Sequence, residues 1–543
     1  MNFERYLEKI EGDYRQAVKV EWLNSDESVN FEFTNSLYDI GVDLSVNYQN
    51  GSRRSCTLTL NNDKNQFPIN FNNIWIGQKF KLWMGIYLDE NTPYYFPQGV
   101  FYVTNPEDVY NPTTKTIKIN GVDKWAFLDG TLHGFLPGTY QTNIDVNLFD
   151  ATKELLSQPI LPIEFNLNNV FEVINDPYYF KYEDGEFRSN NIGQDFTEAK
   201  TTLVAREDMD ISFEYYCSSE RTYDTFTLTL ADSNDSNVVE IDKVSGSTDN
   251  MVYQGKISKD DKIIFQYKKD RGSHSGRDCA AFFNIKINAK SCVLIDPVTP
   301  MFSPYFLNKK TIVPVWDEKS KKYVDTEKEI IKCPYTAVVE KGGTYADILL
   351  EYATILCAHI YYDVNGRLTI EPMSDEVDNI VDTNKEIVWN YSVEEKTFLG
   401  LTQTYNFNKV YNDIIVLGNI VNGKQFKARV QNRNIMSDTC IQKIGLKTKE
   451  PFEDNQYYSD KQCEELAIYY AKVDTILQKS GDIDSLPLYH IDVNKIVTVS
   501  TPNNNMNREL FLITGFTINS LKTMSINVTS VNDLNNFSVV GGL

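Results

Sequence analysis

Cys357 and His359 stand two residues apart, with Asp363 just beyond, in the stretch GGTYADILLEYATILCAHIYYDVNGRLTIEP that begins at Gly342. A thiol, an imidazole and a carboxylate are the parts of a cysteine nucleophile with its base and orienting acid, and the thiol must lie within hydrogen-bond reach of the ring. The spacing argues against that chemistry. Thr344 and Asp347 read as a capping box with Asp in place of the usual Glu or Gln. Ala346, Leu349, Leu350, Ala353, Cys357 and Ile360 then recur at helical spacing, which assigns Cys357 to a buried stripe. His359 falls roughly 200° around such a helix from Cys357, where side chains do not meet. Asn365-Gly366, between β-prone residues of 361–370, predicts a tight hairpin after the helix. The segment reads as scaffold, with Cys357 a small packed thiol.

Other reactive side chains are scattered. The eight cysteines (56, 217, 279, 292, 333, 357, 440 and 463) include no C-x-x-C pair, and the four histidines (133, 274, 359 and 490) are far apart in sequence. Neither a zinc site nor a disulfide framework is indicated. No catalytic, metal-binding or cofactor-binding residue is assigned, and no cofactor is expected. One binding chemistry stays open. EYYCSSERTYDTF brings Tyr215, Tyr216 and Tyr223 close in sequence, and exposed aromatic faces stack on sugar rings. In an alternating strand about half of such residues must face the core. RGSHSGRD, with Arg271, His274 and Arg277, offers an anion site or simply a turn.

The elements that would position these residues are mostly strands. The chain has 543 residues, too many for one core, with 41% hydrophobic and 24% charged residues, as in ordinary soluble proteins. Its 33 Tyr and 30 Phe favour strands. No apolar run approaches a membrane span, and residues 1–20 lack the layout of a secretory signal, so synthesis in the cytoplasm is expected. Net charge is −22, from 53 basic and 75 acidic residues, which argues against a protein that grips nucleic-acid phosphates. Solubility accounts for that charge; so does a surface that repels a polyanion sliding past.

Strands separated by Asn, Pro and Gly turns fill residues 1–135, as in a small barrel or sandwich. DVNLFDATKELLS (145–157) has helical periodicity, with Leu148, Ala151, Leu155 and Leu156 on one side. Residues 177–292 read as a separate all-β insert of alternating strands, flanked by Asp-Pro pairs. In the strand-rich tail, Ser459 and Gln462 form a capping box. Cys463, Leu466, Ala467, Tyr470, Val473 and Leu477 make an apolar stripe, and Gly481 reads as the stop. The tail also echoes the beginning. Phe101-Tyr102-Val103-Thr104 and Phe511-Leu512-Ile513-Thr514 each sit in a strand that precedes a Lys-Thr-led strand, the mark of an internal duplication.

Three stretches resemble the baseplate hub, or tail-tip hub, proteins of tailed bacteriophages and related contractile particles. YYFPQGVFYVTNPEDVYNPTTKTIKINGVDKWAFLDG looks like the family's first tube-type domain. TYADILLEYATILCAHIYYDVNGRLTIEP looks like its central helix and hairpin. NKVYNDIIVLGNIVNGKQFKARVQN, with SDKQCEELAIYYAK and DVNKIVTVS, looks like its second tube-type domain. The resemblance implies a mainly β (α+β) fold. Two tube-type β-barrel domains occupy 1–135 and 401–543, an α+β middle region 136–176 and 293–400, and an inserted jelly-roll sandwich 177–292. It further implies a structural, non-enzymatic role in the virion, at the tail baseplate or tip. A homotrimer would place six similar barrels in a ring between the tail tube, or a distal tail protein ring, and the tip spike, fibre or tape-measure protein. DNA would cross its channel without specific binding. The insert departs from the family's pattern and resembles jelly-roll modules of phage and cell-surface proteins, with host surface glycans as a candidate partner. A carbohydrate-binding adhesion protein and a tail-associated cell-wall hydrolase are the competing readings; no paired-carboxylate or Cys-His site supports the latter.

Overall fold

A computed structural model describes the chain except for residues 1, 36–38, 63–65, 71–73, 76, 111–114, 162, 273–275, 290, 292, 318, 373–386, 406, 475–478, 503–505, 521–522, 531–537 and 540–543. His274, Cys292 and Leu477 lie outside the described residues, as does the side chain of Val473. The chain divides into two compact units, one of residues 1–24, 29–153 and 298–543, the other of 25–28 and 154–297. Both are mainly β.

In the larger unit the alternation of apolar and polar residues forms eight strands near the start: β1 (Gln16–Leu23), β2 (Val29–Thr34), β3 (Ile40–Asn47), β4 (Arg54–Asn61), β5 (Lys79–Tyr87), β6 (Pro93–Val103), β7 (Glu107–Tyr110) and β8 (Lys115–Asp123). Six more lie near the end: β9 (Ile387–Ser392), β10 (Phe398–Tyr405), β11 (Lys479–Ser485), β12 (Ile496–Thr501), β13 (Met506–Ile518) and β14 (Met524–Ser530). All fourteen belong to one sheet. Its spine runs β2-β1-β5-β6-β8-β4-β3-β13-β14-β11-β10, with β7 on β8, β12 on β13 and β9 on β12.

Strands from both ends of the chain therefore share a single core. Val42, Leu44, Leu58, Phe101 and Ile119 are buried in the same cluster as Ile483, Phe511, Ile513, Ile526 and Val528. Helix α1 (Asn2–Ile10) adds Tyr6 and Ile10 to that cluster. The alternation that supplies this apolar face leaves mainly polar residues on the other side of the sheet around β3, β4, β8, β11 and β14, while Ile496, Leu510 and Leu512 form a small apolar cluster on that side of β12 and β13.

Helix α2 (Tyr345–Leu356) begins at the predicted capping box, with Thr344 and Asp347 each satisfying the other's backbone N–H. It ends earlier than the hydrophobic pattern indicates. Cys357 is its C-cap, in the left-handed region at φ 49°, so Ile360 reaches the core from a strand, Ala358–Tyr362, rather than from the helix. That strand pairs with Leu368–Pro372. The connection is wider than a two-residue Asn-Gly turn. The Gly366 N–H donates to the Asp363 carbonyl, the Asp363 N–H donates to the Arg367 carbonyl, and only Gly366 takes positive φ, 71°. This is a type I turn closed by a glycine bulge.

Helix α3 (Asp460–Asp474) buries Cys463, Leu466, Ala467 and Ala471 against the hairpin Asp413–Val421 and Lys424–Gln431. Its capping box is half formed. The Ser459 hydroxyl accepts from the Gln462 N–H, but the Gln462 carboxamide accepts from the Tyr458 N–H and donates to the Thr354 carbonyl at the end of α2. Gly481 is not a helix stop; it lies within β11.

The smaller unit is a sandwich of two five-stranded antiparallel sheets around one aromatic-rich core. One sheet joins Phe171–Asn175, Glu198–Ala205, Lys262–Lys268, Thr225–Ala231 and Val238–Val244. The other joins Phe180–Glu183, Glu186–Ser189, Cys279–Asn288, Met209–Ser218 and Met251–Ile257. Phe265 stacks on Phe282 across the interior at 3.8 Å between centroids.

Candidate functional site

The opening triad does not assemble. Cys357 is buried between α2 and α3, where lost hydration pushes its thiol well above the ordinary range. A thiol held protonated is a poor nucleophile. The His359 Nδ1 meets the Asn50 side-chain oxygen at 3.0 Å, and the same oxygen accepts from the Ile360 N–H. Asp363 accepts from the Asn365 and Arg367 N–H groups and so closes the hairpin turn. All three residues anchor the hairpin. Arg53 assists, lying 3.3 Å from the Tyr361 ring centroid, while Lys124, buried, donates to the Gly366 carbonyl.

The other histidines are also separated: His133 stacks on Phe127, and His490 Nδ1 meets the Tyr6 hydroxyl at 3.0 Å. The described cysteines are free and buried. Among the described residues no cluster of His, Cys, Asp or Glu is arranged to hold a metal ion, and no helix is long and apolar enough to cross a membrane.

The three tyrosines do not share a face. Tyr215 points into the sandwich core, 4% exposed, and donates to Asp242, which removes it as a sugar contact. Tyr216, next along the strand, points outward, donates to Glu186 at 2.6 Å and accepts from Arg277 at 3.1 Å. Tyr223 is 60% exposed in a turn. Alternation along the Met209–Ser218 strand separates the first two.

The arrangement that does repeat is the large sheet. Six strands near the start follow the spatial order β1-β5-β6-β8-β4-β3; six near the end follow β9-β12-β13-β14-β11-β10. Taken in chain order, the two sequences of neighbours are the same. One orientation differs, since β1 is antiparallel to β5 whereas β9 is parallel to β12. The registers correspond residue by residue. Phe101 pairs with Phe80 and Asp123, and Phe511 pairs with Val497 and Ser530.

Side-chain bonds repeat as well. The Thr104 hydroxyl donates to the Asn120 carbonyl at 3.1 Å, and the Thr514 hydroxyl donates to the Asn527 carbonyl at 3.2 Å. On the polar face the Asn120 amide group accepts from Thr57, and the Asn527 amide donates to Asp482. Those pairs are cross-strand neighbours at equivalent positions, Thr57 with Asn120 and Asp482 with Asn527.

The two arrays meet where β3 pairs with the end of β13, Leu44 to Ile518 through Asn47 to Gly515. A shallow groove of about 420 Å³ lies on the polar face there, lined by Asp43, Ser45, Thr57, Asn120 and Thr517 among others. Arg54 makes a second tie, donating to both carboxylate oxygens of Asp492 at 2.6–2.7 Å with its own side chain 1% exposed.

The equivalents of this joint are open. In β10 the positions matching Leu44 and Val46 are Gln403 and Tyr405, and β10 pairs only with β11 among the described residues. The positions matching Thr517 and Ile518 are Glu107 and Asp108 in β7, which pairs only with β8 among the described residues. Both edges carry exposed apolar side chains: Leu399 at 56%, Tyr405 at 47% and Phe407 at 70% on one, Tyr110 at 77% on the other.

No family model and no curated protein matches the sequence. Among solved structures, the chain is similar to a tail protein from Neisseria meningitidis MC58, at 8% identity over 96% of this chain and 97% of that one, with a TM-score of 0.43. The prophage MuSo2 43 kDa tail protein from Shewanella oneidensis is similar at 8% identity over 96% of this chain and 100% of that one, with a TM-score of 0.43. A family 29 carbohydrate-binding module complexed with cellulohexaose is similar to 28% of this chain and 93% of its own, at 14% identity and a TM-score of 0.17. At such identity and TM-score the likeness carries no function with it.

Proposed function

We propose that the chain is a structural hub subunit of a phage-tail-type particle, acting as a homotrimeric ring that closes the tail tube and passes DNA. The observation that carries this reading is the duplicated array with one joint made and its equivalent left open. Within a chain, β3 is covered by β13. Between copies, β10 of one chain would take the segment around β7 of the next, giving six arrays from three chains. Uncovered strand edges bearing apolar side chains invite pairing with another chain, and a ring satisfies every such edge without leaving an open filament. Pro106, equivalent to Phe516, has no N–H to give, so the joint between copies lacks one ladder bond and leans on side chains such as Tyr110.

The polar face suits a passing polyanion. Around the β3–β13 joint, Asp43, Asp482 and Asp484 project from it beside serine, threonine and asparagine, with Lys118 on the same side; farther along, on β1 and β5, the same side carries Lys19, bonded to Glu21, and Lys81. Around that joint, where carboxylates and neutral polar groups outnumber cations, the surface would release few counterions from DNA and so would not hold it. The mass of the purified chain in solution tests the proposal: three times 62.5 kDa is expected, and threefold rings by electron microscopy. A monomer at every concentration examined would overturn it.

A further inference from the structure

We infer that the outer face of one sheet of the smaller unit is a binding site for a neutral oligosaccharide. Four outward residues form a row across four strands: Glu186, Phe283, Glu214 and Val252, each paired in register with the next. With strands about 4.8 Å apart the row spans about 14 Å, enough for a chain of sugars rather than one. Phe283 supplies an aromatic surface in the middle, with the Tyr216 ring 6.0 Å away at 62°, and Val252 is 69% exposed at one end. The C–H faces of pyranose rings pack on such surfaces.

The polar groups around Phe283 are already held in place. Arg188 and Tyr216 donate to the two oxygens of Glu186, and Arg277 donates to the Tyr216 hydroxyl. Asn284 and Asn250 donate to the two oxygens of Glu214. Asn284 sits at a β-bulge opposite the Ser212–Glu214 step, with φ 49°, which turns its amide towards that carboxylate. Beside the row a groove of about 250 Å³ is lined by Ser212, Glu214, Val252, Asn284, Lys286 and Gln158, among others. Side chains fixed by one another lose little freedom when a ligand binds.

The chemistry selects the ligand. Two carboxylates interleaved with Arg188, Arg277 and Lys286 repel anions and cations alike, so neither a polyanion nor a basic peptide fits the whole row. A polyhydroxylated neutral chain both donates to the carboxylates and accepts from the cations and amides. This site stands independently of the ring assembly.

Calorimetric titration of the full chain with cellohexaose, mannohexaose and chitohexaose tests it. Saturable heat with at least one is expected, weakened about tenfold or more by Phe283→Ala, the loss of one stacking surface. Tyr223→Ala, in the turn, should bind as the parent does. If Phe283→Ala lowers the melting temperature, the isosteric Glu214→Gln replaces it, with weakened binding expected. No heat with any of the three sugars, binding unchanged in both Phe283→Ala and Glu214→Gln, or binding only of a sulfated hexasaccharide would overturn the site.

Discussion

The Thr514 hydroxyl donates to the carbonyl of Asn527 at 3.2 Å, and Thr104 does the same to Asn120 at 3.1 Å. In each case the threonine follows three apolar or aromatic residues on the central strand of its array, and the acceptor belongs to the adjacent strand. Strands resemble one another by chance; a side-chain bond at the same register, with a cross-strand neighbour also repeated, is much less easily coincidental. Thr104→Val and Thr514→Val should each lower stability by about 1 kcal/mol, the net worth of one such bond. Denaturant melts of both variants check this. A loss above about 3 kcal/mol at one site with none at the other would mean that the two positions are not equivalent.

Cys357 packs between α2 and α3 without chemistry to perform. Cys357→Ala should cost about 1–2 kcal/mol through lost packing, with assembly unchanged. Cys357→Gly adds relief of the left-handed backbone at φ 49°, a gain of about 1 kcal/mol that should offset much of the cavity cost. Thermal melts that rank glycine well below alanine would contradict this account.

The sequence makes local structure legible where one residue type has one use. The Thr344/Asp347 capping box and the alternation of 210–218 appear as written, because caps and strand faces depend on neighbours only. The end of α2 was not legible. Apolar residues at helical spacing continue to Ile360, yet a strand partner at Ile370 holds that residue instead. Gln462 shows the same limit: its carboxamide serves the end of a different helix, 108 residues earlier in sequence. The echo between the chain's two ends was visible as a pattern of residue types. That both ends share one sheet was not, because β3–β13 pairing is a long-range contact with no local signature. Likewise the Tyr216 environment depends on Glu186, Arg277 and Phe283, which only the fold collects.

Acid should weaken the larger unit through Asp413. Burial alone would raise its carboxyl pKa, but hydrogen bonds from Arg429, Thr448 and Gln431 outweigh burial and hold it below the ordinary range. A lowered folded pKa contributes stability that is present above the unfolded value of about 3.9 and lost as pH falls through the folded value. Stability should therefore decline below about pH 5, more steeply in the parent than in Asp413→Asn. At pH 7 that substitution should cost about 1–2 kcal/mol, the worth of the charged hydrogen bonds lost from a partly exposed Arg429. Identical pH profiles for the two proteins would remove Asp413 from the account.

Within the smaller unit the segments at 158–160 and 293–295 lie side by side. The Ile160 N–H donates to the Val293 carbonyl and the Ile295 N–H donates to the Gln158 carbonyl, at 3.1 and 3.0 Å. Chain ends this close permit excision. Joining 160 to 293 through a short Gly/Ser linker should leave the larger unit with a cooperative melt and unchanged assembly. Aggregation of the shortened chain would mean that the excised residues complete its core.

The open edges make the sharpest test of the ring. Leu399 and Tyr405 border β10 and are exposed, while the apolar residues that hold β10 to the core, Phe398 and Leu401, are a different set. Leu399→Asp with Tyr405→Asp should therefore spare the fold and place two charges where another chain's β7 segment, with Glu107 and Asp108, must approach. Like charges brought together at a strand joint oppose pairing. The expected result is a monomer whose melting temperature lies within about 1 °C of the parent's unassembled form, a shift of about 1 kcal/mol or less for a chain of this size. Mass photometry reads the first and calorimetry the second. Equivalent charges on β3, as in Val46→Asp, should instead unfold the chain, because that copy of the joint is internal and buried. If the β10 variant assembles as the parent does, the two arrays repeat in fold but not in use, and the contacts between copies must be sought on another edge.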